Sequence, residues 1–287
     1  MLDAFFKYYT AESLKLTLGK TTRKWSSPSE FNDPFDNRLD IHWAGSPIEF
    51  ENAITERVVR LVEEEEIDLK SLFPEMRYLV SSLRDLPLAK RSEALRELKE
   101  PEGVYTQEML DAMHVKLNGA ITTLLFDTSI FCLTEDHDNL LMWAHYTDNH
   151  RGGVVKFLPI KEVDSPLLVA KKVNYSKSVP SISYVNILDN TQEFRRAVID
   201  EMTLTKSIDW QYEKEWRIVT SLRNPTNKYE ILPFAEEEVG GLYLGCRISE
   251  ADKSQLIELM VQKYPWAPIY QATPKRNEFS LTFDRVE

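Results

Sequence analysis

The chain carries the stretch Trp-Gln-Tyr-Glu-Lys-Glu-Trp-Arg-Ile-Val at residues 210–219. Its aromatic and β-branched residues, with no Gly or Pro, predict a β-strand. Side chains alternate between the two faces of a strand, so Glu213, Glu215 and Arg217 are expected on one face and three large aromatic residues on the other. An aromatic face indicates a central strand, and the charged row opposite it is then expected to line a cleft.

This charged row has two interpretations. In the first, Glu213 and Glu215 are catalytic carboxylates. In the second, the row is an ion network in which Arg217 neutralises both carboxylates. The helix predicted just before the stretch ends at Lys206, so Lys206 is expected to join one ion network with these residues.

The composition excludes several classes of protein. The 287 residues carry a formal net charge of -11, so no general affinity for nucleic-acid backbones or anionic membranes is expected. The two cysteines, Cys132 and Cys246, are too few for a disulfide framework, which fits a reducing compartment. An acid stands where a signal peptide has its basic region, and no stretch approaches the ~20 apolar residues that span a membrane. We therefore expect a cytoplasmic protein without a membrane partner.

The order of predicted elements indicates an α+β fold. Strands are predicted near both ends of the chain, with short helices between them. Residues 49–127 instead carry apolar residues at helical spacing, punctuated by prolines. We predict a twisted, mainly antiparallel sheet formed by residues 1–48 and 128–287, with an all-helical insertion at residues 49–127.

Some local elements can be predicted in more detail. A strand at residues 4–9 precedes a helix that Thr10 caps and Gly19 ends. A later strand at residues 229–232 is expected to form a hairpin with the stretch at 210–219.

Residues 31–36, Phe-Asn-Asp-Pro-Phe-Asp, have the composition of a turn. Phe31 and Phe35 are expected to hold this turn against the core. A structural turn is the favoured interpretation, and the alternative is that the carboxylates of Asp33 and Asp36 face the cleft.

Three histidines, His137, His145 and His150, and one cysteine lie in the segment 129–157. His145, on a predicted short helix, and His150, in the turn after it, could each act as a general base near neutral pH. No H-E-x-x-H type spacing is present, so a metal site is disfavoured. Cys132 lies inside an apolar strand and is expected to be a buried, inert thiol.

Four segments together resemble a known family. They are Phe-Lys-Tyr-Tyr at 6–9, Phe-Asn-Asp-Pro-Phe-Asp at 31–36, Leu-Met-Trp-Ala-His-Tyr-Thr-Asp-Asn-His-Arg-Gly at 141–152 and Trp-Gln-Tyr-Glu-Lys-Glu-Trp-Arg at 210–217. In order and spacing the chain is similar to the bacterial family called domain of unknown function 2971, which includes relatives of abortive phage-infection proteins. The resemblance covers nearly the whole chain except the helical insertion, and it implies membership rather than a reaction.

A more distant resemblance is to ADP-ribosyltransferases. These enzymes have a split sheet with site positions on an early, a middle and a late strand. Here Lys7 and Tyr8 lie on an early strand, and Glu213 and Glu215 lie late in the chain. The early His or Arg of that family is not evident, and no Ser-Thr-Ser triplet occupies the middle strand. The resemblance implies catalysis by Glu213 or Glu215.

Two functional hypotheses follow. In the first, the protein is an enzyme of prokaryotic defence that uses a nucleotide-like substrate such as NAD. An aromatic side chain would stack a base or nicotinamide ring, and a Glu would stabilise an oxocarbenium-like centre. In the second, it is a non-catalytic domain that binds a small ligand or a protein partner. The assigned residues are Glu213, Glu215 and His145 as catalytic groups, and Lys7, Tyr8, Trp143, Tyr146, Lys206 and Arg217 as ligand-binding groups.

Overall fold

The computed structural model describes residues 2–36, 42–64, 68–72, 74–100, 103–183, 192–224 and 227–286. The chain divides into two units. The first contains residues 1–37, 124–178 and 203–287, and the second contains residues 38–123 and 179–202. The insertion boundaries predicted from the sequence stay a prediction.

The described chain contains eight α-helices and fourteen strands. The helices are α1 Ala11–Lys20, α2 Pro47–Glu63, α3 Pro74–Arg84, α4 Leu88–Glu97, α5 Gln107–Phe126, α6 Leu140–Tyr146, α7 Gln192–Leu204 and α8 Glu250–Lys263. The strands are β1 Phe5–Tyr9, β2 Thr22–Ser26, β3 His42–Ala44, β4 Thr128–Thr134, β5 Gly153–Phe157, β6 Lys171–Lys172, β7 Asn174–Ser176, β8 Ser181–Ser183, β9 Thr205–Ser207, β10 Glu215–Ser221, β11 Tyr229–Pro233, β12 Val239–Leu244, β13 Ile269–Pro274 and β14 Leu281–Arg285.

One large sheet organises the first unit, and it has ten strands among the described residues. Its main path runs β11-β2-β4-β1-β5-β12-β13-β14, and β10 pairs with both β4 and β6. These pairings are antiparallel, except that β12 and β13 are parallel. A mainly antiparallel sheet combined with helices confirms the predicted α+β class.

The sheet opens along one edge of β4. On this edge β4 pairs with β1 at a single position, Thr134 with Phe6, and with β2 at a single position, Ile130 with Ser26. Between these two positions, this edge of β4 pairs with neither β1 nor β2. The opening is the feature of the fold that makes room for a cleft.

Two apolar clusters cover the two faces of this sheet. On one face, Leu14 of α1 and Leu256 of α8 pack against Phe5 and Phe131. On the other face, Trp143 of α6 packs against strand residues. Burying a large apolar side chain contributes roughly 1.5–3 kcal/mol, so helices on both faces hold the strands that line the opening.

One ion pair lies inside the first apolar cluster. The Arg23 Nη2 donates to Glu238 Oε2 at 2.6 Å, and both side chains are buried. The guanidinium carbon lies 5.4, 5.3 and 4.8 Å from the ring centres of Phe131, Phe157 and Phe234. Glu238 is therefore the counter-charge of a cation otherwise surrounded by aromatic rings.

The stretch at 210–219 is not one continuous strand. Residues Ile208–Glu213 form a 3-10 helix, Lys214 adopts a left-handed conformation with φ of 45°, and β10 begins at Glu215. The predicted strand is therefore wrong from residue 210 to residue 214. Of the predicted charged face, Glu215 and Arg217 lie on β10, and both side chains are buried.

Tertiary hydrogen bonds account for this difference. The Thr134 hydroxyl donates to the carbonyl oxygen of Glu213 at 2.6 Å, and the Asn139 side-chain amide donates to the carbonyl oxygen of Tyr212 at 2.9 Å. Backbone acceptors that a strand would offer to a neighbouring strand are used by these side chains instead. Such contacts override the strand propensity of aromatic residues, which depends on context.

The predicted hairpin between residues 229–232 and this stretch is also wrong. β11 pairs with β2, because β4 and β6 occupy the two edges of β10. Two smaller predictions differ as well. Helix α1 continues through Gly19 and ends where Thr21 has a φ of 50°. The Phe35 side chain is 59% exposed rather than held in the core, and the turn is closed by Asp33, which accepts from the Phe35 backbone N–H.

The second unit has its own apolar cluster. Val58 of α2, Val80 of α3 and Leu95 of α4 belong to it. α2 begins with a capping box formed by Ser46 and Glu49. Within the described ranges, no helix of either unit is long and apolar enough to cross a membrane.

Candidate functional site

A cleft of about 430 Å³ lies at the opening between β1 and β4. It is lined by residues of β1, β4, α6, β9 and β10, and of the segments that follow β2 and β9. Seven of the nine site residues predicted from the sequence line it: Lys7, Tyr8, His145, Tyr146, Lys206, Glu213 and Glu215. The fold therefore brings together residues that are more than two hundred positions apart in the sequence.

Arg217 is the centre of a buried ion network beside this cleft. Its Nε–H donates to Glu215 Oε1 at 2.8 Å, and its two terminal nitrogens donate to the Asp36 carboxylate at 2.9 and 2.6 Å. The last two donors go to the Thr203 carbonyl oxygen at 2.7 Å and to Glu215 Oε2 at 3.0 Å. A guanidinium has five N–H donors, so Arg217 uses all of them to position other groups and keeps none for a ligand.

Lys206 joins the two glutamates. Its Nζ donates to Glu213 Oε2 at 2.6 Å and to Glu215 Oε2 at 2.9 Å. Both oxygens of Glu215 thus contact cations, whereas Glu213 Oε1 accepts from the neutral Tyr146 hydroxyl at 2.5 Å. The ion network predicted from the sequence is present, and the surroundings of its two glutamates differ.

The contacts fix the ionisation of this network. Burial alone would raise the pKa of the Glu215 carboxyl, but Arg217 and Lys206 outweigh burial and hold that pKa well below its usual range. Burial would lower the pKa of the Lys206 ammonium, but the glutamates raise it above its ordinary value. Burial and the neighbouring Glu213 raise the pKa of the Tyr146 hydroxyl, which therefore stays a donor.

Lys7 has different surroundings from Lys206. Its Nζ donates to the carbonyl oxygen of Cys132 at 2.6 Å, across the opening in the sheet, and lies 4.6 Å from the centre of the Phe131 ring. No carboxylate forms an ion pair with it among the residues that the structure describes. Burial lowers the pKa of the Lys7 ammonium, and the nearby Cys132 and Glu215 only partly offset that change.

The remaining predicted residues are placed as follows. The Tyr8 hydroxyl donates to the Asp136 carbonyl oxygen at 3.1 Å, and His145 is exposed beside Tyr146. Trp143 is fully buried in the apolar cluster behind the cleft and does not line it.

The Cys132 thiol lines the cleft, and burial, together with Glu215, raises its pKa. The raised pKa favours the protonated thiol. The side chain is half-buried rather than fully buried as predicted, and its inertness stays a prediction. No group of three His, Cys, Asp or Glu side chains that could hold a metal ion occurs within the described part of the chain.

Sequence reasoning missed two members of the network. Asp36, offered only as an alternative to a structural turn, provides the bidentate partner of Arg217. The Tyr175 hydroxyl accepts from the Glu215 backbone N–H at 2.8 Å. Asp36 lies within a motif that resembles the family, which was an available signal, whereas nothing in the sequence around Tyr175 points to the cleft.

The fold and cleft define the class as an α+β protein with a charged cleft at a split in its sheet. Residues 142–218 match the family model described as Protein of unknown function (DUF2971), and this match confirms the family predicted from the sequence. The matched segment runs from α6 into β10 and contains His145, Tyr146, Lys206 and both glutamates. No curated protein and no solved structure matches the chain significantly, and the resemblance to ADP-ribosyltransferases is without support.

Proposed function

We propose that the cleft binds a small nucleotide-like ligand, such as NAD, through the Lys7 ammonium. The observation that carries the proposal is the lack of a carboxylate partner for Lys7 within the described residues, in a cleft where Lys206 is ion-paired. A partly desolvated ammonium forms strong hydrogen bonds with anionic groups such as phosphate. A cleft of about 430 Å³ is within the range of about 300–1,000 Å³ that is usual for small-molecule sites.

The rest of the lining suits the other parts of such a ligand. Phe6, Tyr8, Phe31 and Tyr146 bring aromatic rings to the cleft, and rings of this kind pack against a planar base. The Glu213 carboxylate offers an acceptor for ribose hydroxyls, as acidic residues do in other nucleotide sites.

The Lys7→Met variant is expected to bind such ligands at least about tenfold more weakly, because a hydrogen bond to a charged group contributes about 1.5–3 kcal/mol. Isothermal titration calorimetry with NAD, ADP-ribose and ATP measures the change. Lys20→Met is the matched control, since it removes the same charge from an exposed position at the end of α1. The proposal fails if wild-type protein binds none of the three, or if Lys7→Met binds as tightly as Lys20→Met.

A second candidate function is cleavage of the nicotinamide–ribose bond of NAD. The observation that favours it is the contact between Glu213 and the Tyr146 hydroxyl, because this carboxylate oxygen is not engaged by a cation. Loss of nicotinamide leaves an oxocarbenium-like centre that a carboxylate stabilises, and attack by water on this centre then gives ADP-ribose. Glu215 is less suited to this role because cations occupy both of its oxygens. Consumption of NAD in infected cells would support the predicted role in defence.

If the cleft cleaves NAD, Glu213→Gln is expected to lower nicotinamide release by about 10²-fold or more, as the loss of a group that stabilises transition-state charge does. Release is measured by chromatography, with thermal melting to verify that the variant folds. Glu162→Gln, at an exposed position of the same unit, is the control. Binding of NAD without release would contradict this second function and leave the binding proposal intact.

A further inference from the structure

A second depression of the first unit lies at the tip of the β13–β14 hairpin. Its volume is about 570 Å³, and it lies between this hairpin and the segment that follows β12. Three basic residues, Arg247, Lys275 and Arg276, line it together with His150. Such a concentration of positive charge is unexpected in a chain whose formal net charge is -11.

Much of this positive charge is available to a ligand. Lys275 Nζ pairs with Glu278 Oε2 at 2.9 Å. By contrast, the guanidinium groups of Arg247 and Arg276 have no ion-pair partner anywhere in the described residues, and both side chains are exposed. With one acid and three cations, the depression has a formal charge of +2.

The tip of the same hairpin carries an aromatic ring. Phe279 is fully exposed, at 101%, three residues after Arg276. A fully exposed Phe leaves a large apolar surface in water, although a single exposed apolar residue is not unusual. What distinguishes Phe279 is its position at the rim of a basic depression.

The base of the depression is held in place by backbone contacts. The Arg247 backbone N–H donates to the His150 carbonyl oxygen at 3.0 Å. His150 ends a run of three left-handed residues, Asp148, Asn149 and His150, with φ of 50°, 56° and 68°, and its ring stacks on Trp143. The His150 Nδ1 is buried with no hydrogen-bond partner among the described residues. Arg247 therefore extends from an ordered platform that also holds a polar atom without a partner.

We propose that this depression binds single-stranded nucleic acid, with Arg247 and Arg276 on phosphates and Phe279 stacked on a base. Sites for single strands combine a basic groove with aromatic rings, because phosphates repeat along the strand and every base has a stacking face. An unpaired base is required, since the ring of Phe279 needs a base face that a duplex keeps stacked. A membrane surface fits less well, because interfacial binding needs an apolar face of several residues and this hairpin tip offers one ring.

Fluorescence anisotropy with a labelled twelve-nucleotide single strand tests the proposal. The full chain is expected to bind the strand at 50 mM salt, and two phosphate contacts, from Arg247 and Arg276, predict a slope of log K against log salt of about -1.4. Charge reversal in Arg276→Glu and removal of the ring in Phe279→Ala are each expected to weaken binding about tenfold. Lys161→Glu is the matched control, since it makes the same change of net charge at an exposed position outside the depression.

Further measurements distinguish a single strand from a duplex and from a membrane surface as the ligand of this depression. A Phe279→Trp variant is expected to bind the strand, with quenching of its fluorescence on base stacking. The proposal is overturned if the single strand does not bind at 50 mM salt, if Arg276→Glu binds as tightly as Lys161→Glu, or if a duplex of the same sequence binds equally well. Binding of vesicles rich in phosphatidylserine, without binding of the strand, would assign the depression to a membrane and would also overturn it.

Discussion

Arg217→Met is expected to lower the free energy of unfolding by about 3–5 kcal/mol, the usual effect of removing one partner from a buried ion pair. The substitution removes five hydrogen bonds at once, four of them to Asp36 and Glu215. Lys206 remains beside both carboxylates, but a single ammonium cannot replace the planar, bidentate contacts of a guanidinium. Buried negative charge is therefore left only partly compensated.

Urea unfolding measures this effect, and Lys214→Met is the matched control. Lys214 lies three residues before Arg217 and pairs with Asp136 at 2.8 Å, but its side chain is exposed to solvent. An exposed pair contributes about 0–1 kcal/mol, so the control is expected to be nearly as stable as the wild type. Equal stability of the two variants would show that the network contributes little to the fold.

The wild type and the Arg217→Met variant are also expected to differ in how their stability responds to acid. In the wild type the pKa of Glu215 is lowered in the folded state. Its contribution to stability is therefore fully present above the ordinary carboxyl pKa of about 4.3, and it is lost as pH falls toward the folded-state pKa. Without Arg217 that pKa rises, so the stability of the variant should depend less steeply on pH in this acidic range.

Glu238→Gln is expected to cause the second large loss, also of about 3–5 kcal/mol. The change leaves the Arg23 charge among three phenylalanine rings without its counter-charge. The amide keeps the size of the side chain and an oxygen that can accept from the Ala235 backbone N–H, as Glu238 Oε1 does at 3.2 Å. The lowered free energy of unfolding is therefore caused by the missing counter-charge and not by a cavity.

The double variant Arg23→Met with Glu238→Gln distinguishes the charge from the packing. Removing both ions, with an apolar side chain in place of the cation, is often neutral or even stabilising. The double variant is expected to regain at least half of what Glu238→Gln loses in urea unfolding. If the losses of the two single variants simply add in the double variant, the two side chains are not coupled and the explanation fails.

Local patterns of the sequence predicted much of the fold. Thr10 caps α1 through its side chain, as predicted, because a cap needs only a short polar group at the right position. The 3-10 helix that stands in place of the predicted strand at residues 210–214 could not be predicted in this way. Its backbone acceptors are used by side chains far away in the sequence, and such contacts leave no mark on local periodicity.

The sequence predicted which residues form the candidate site better than it predicted what each of them does. Alternation placed Glu215 and Arg217 on one face, and the structure brings both into one network. Arg217 uses all of its donors only because Asp36 and the carbonyl oxygen of Thr203 lie beside it. These two residues are 181 and 14 positions away in the sequence. Sequence alone also could not show that Lys7 lacks a carboxylate partner, because that depends on which strands leave the sheet open.

The pairing of β2 with β4 also sets the earliest time at which β2 can gain a neighbouring strand during synthesis. Ser26 of β2 pairs with Ile130, which is made 130 - 26 = 104 residues later. At about 5–20 residues per second, the ribosome needs roughly 5–20 s to deliver that partner. Residues 38–123, most of the second unit, emerge in this interval. The helical segment is therefore free to begin folding while the first strands still wait for their neighbours.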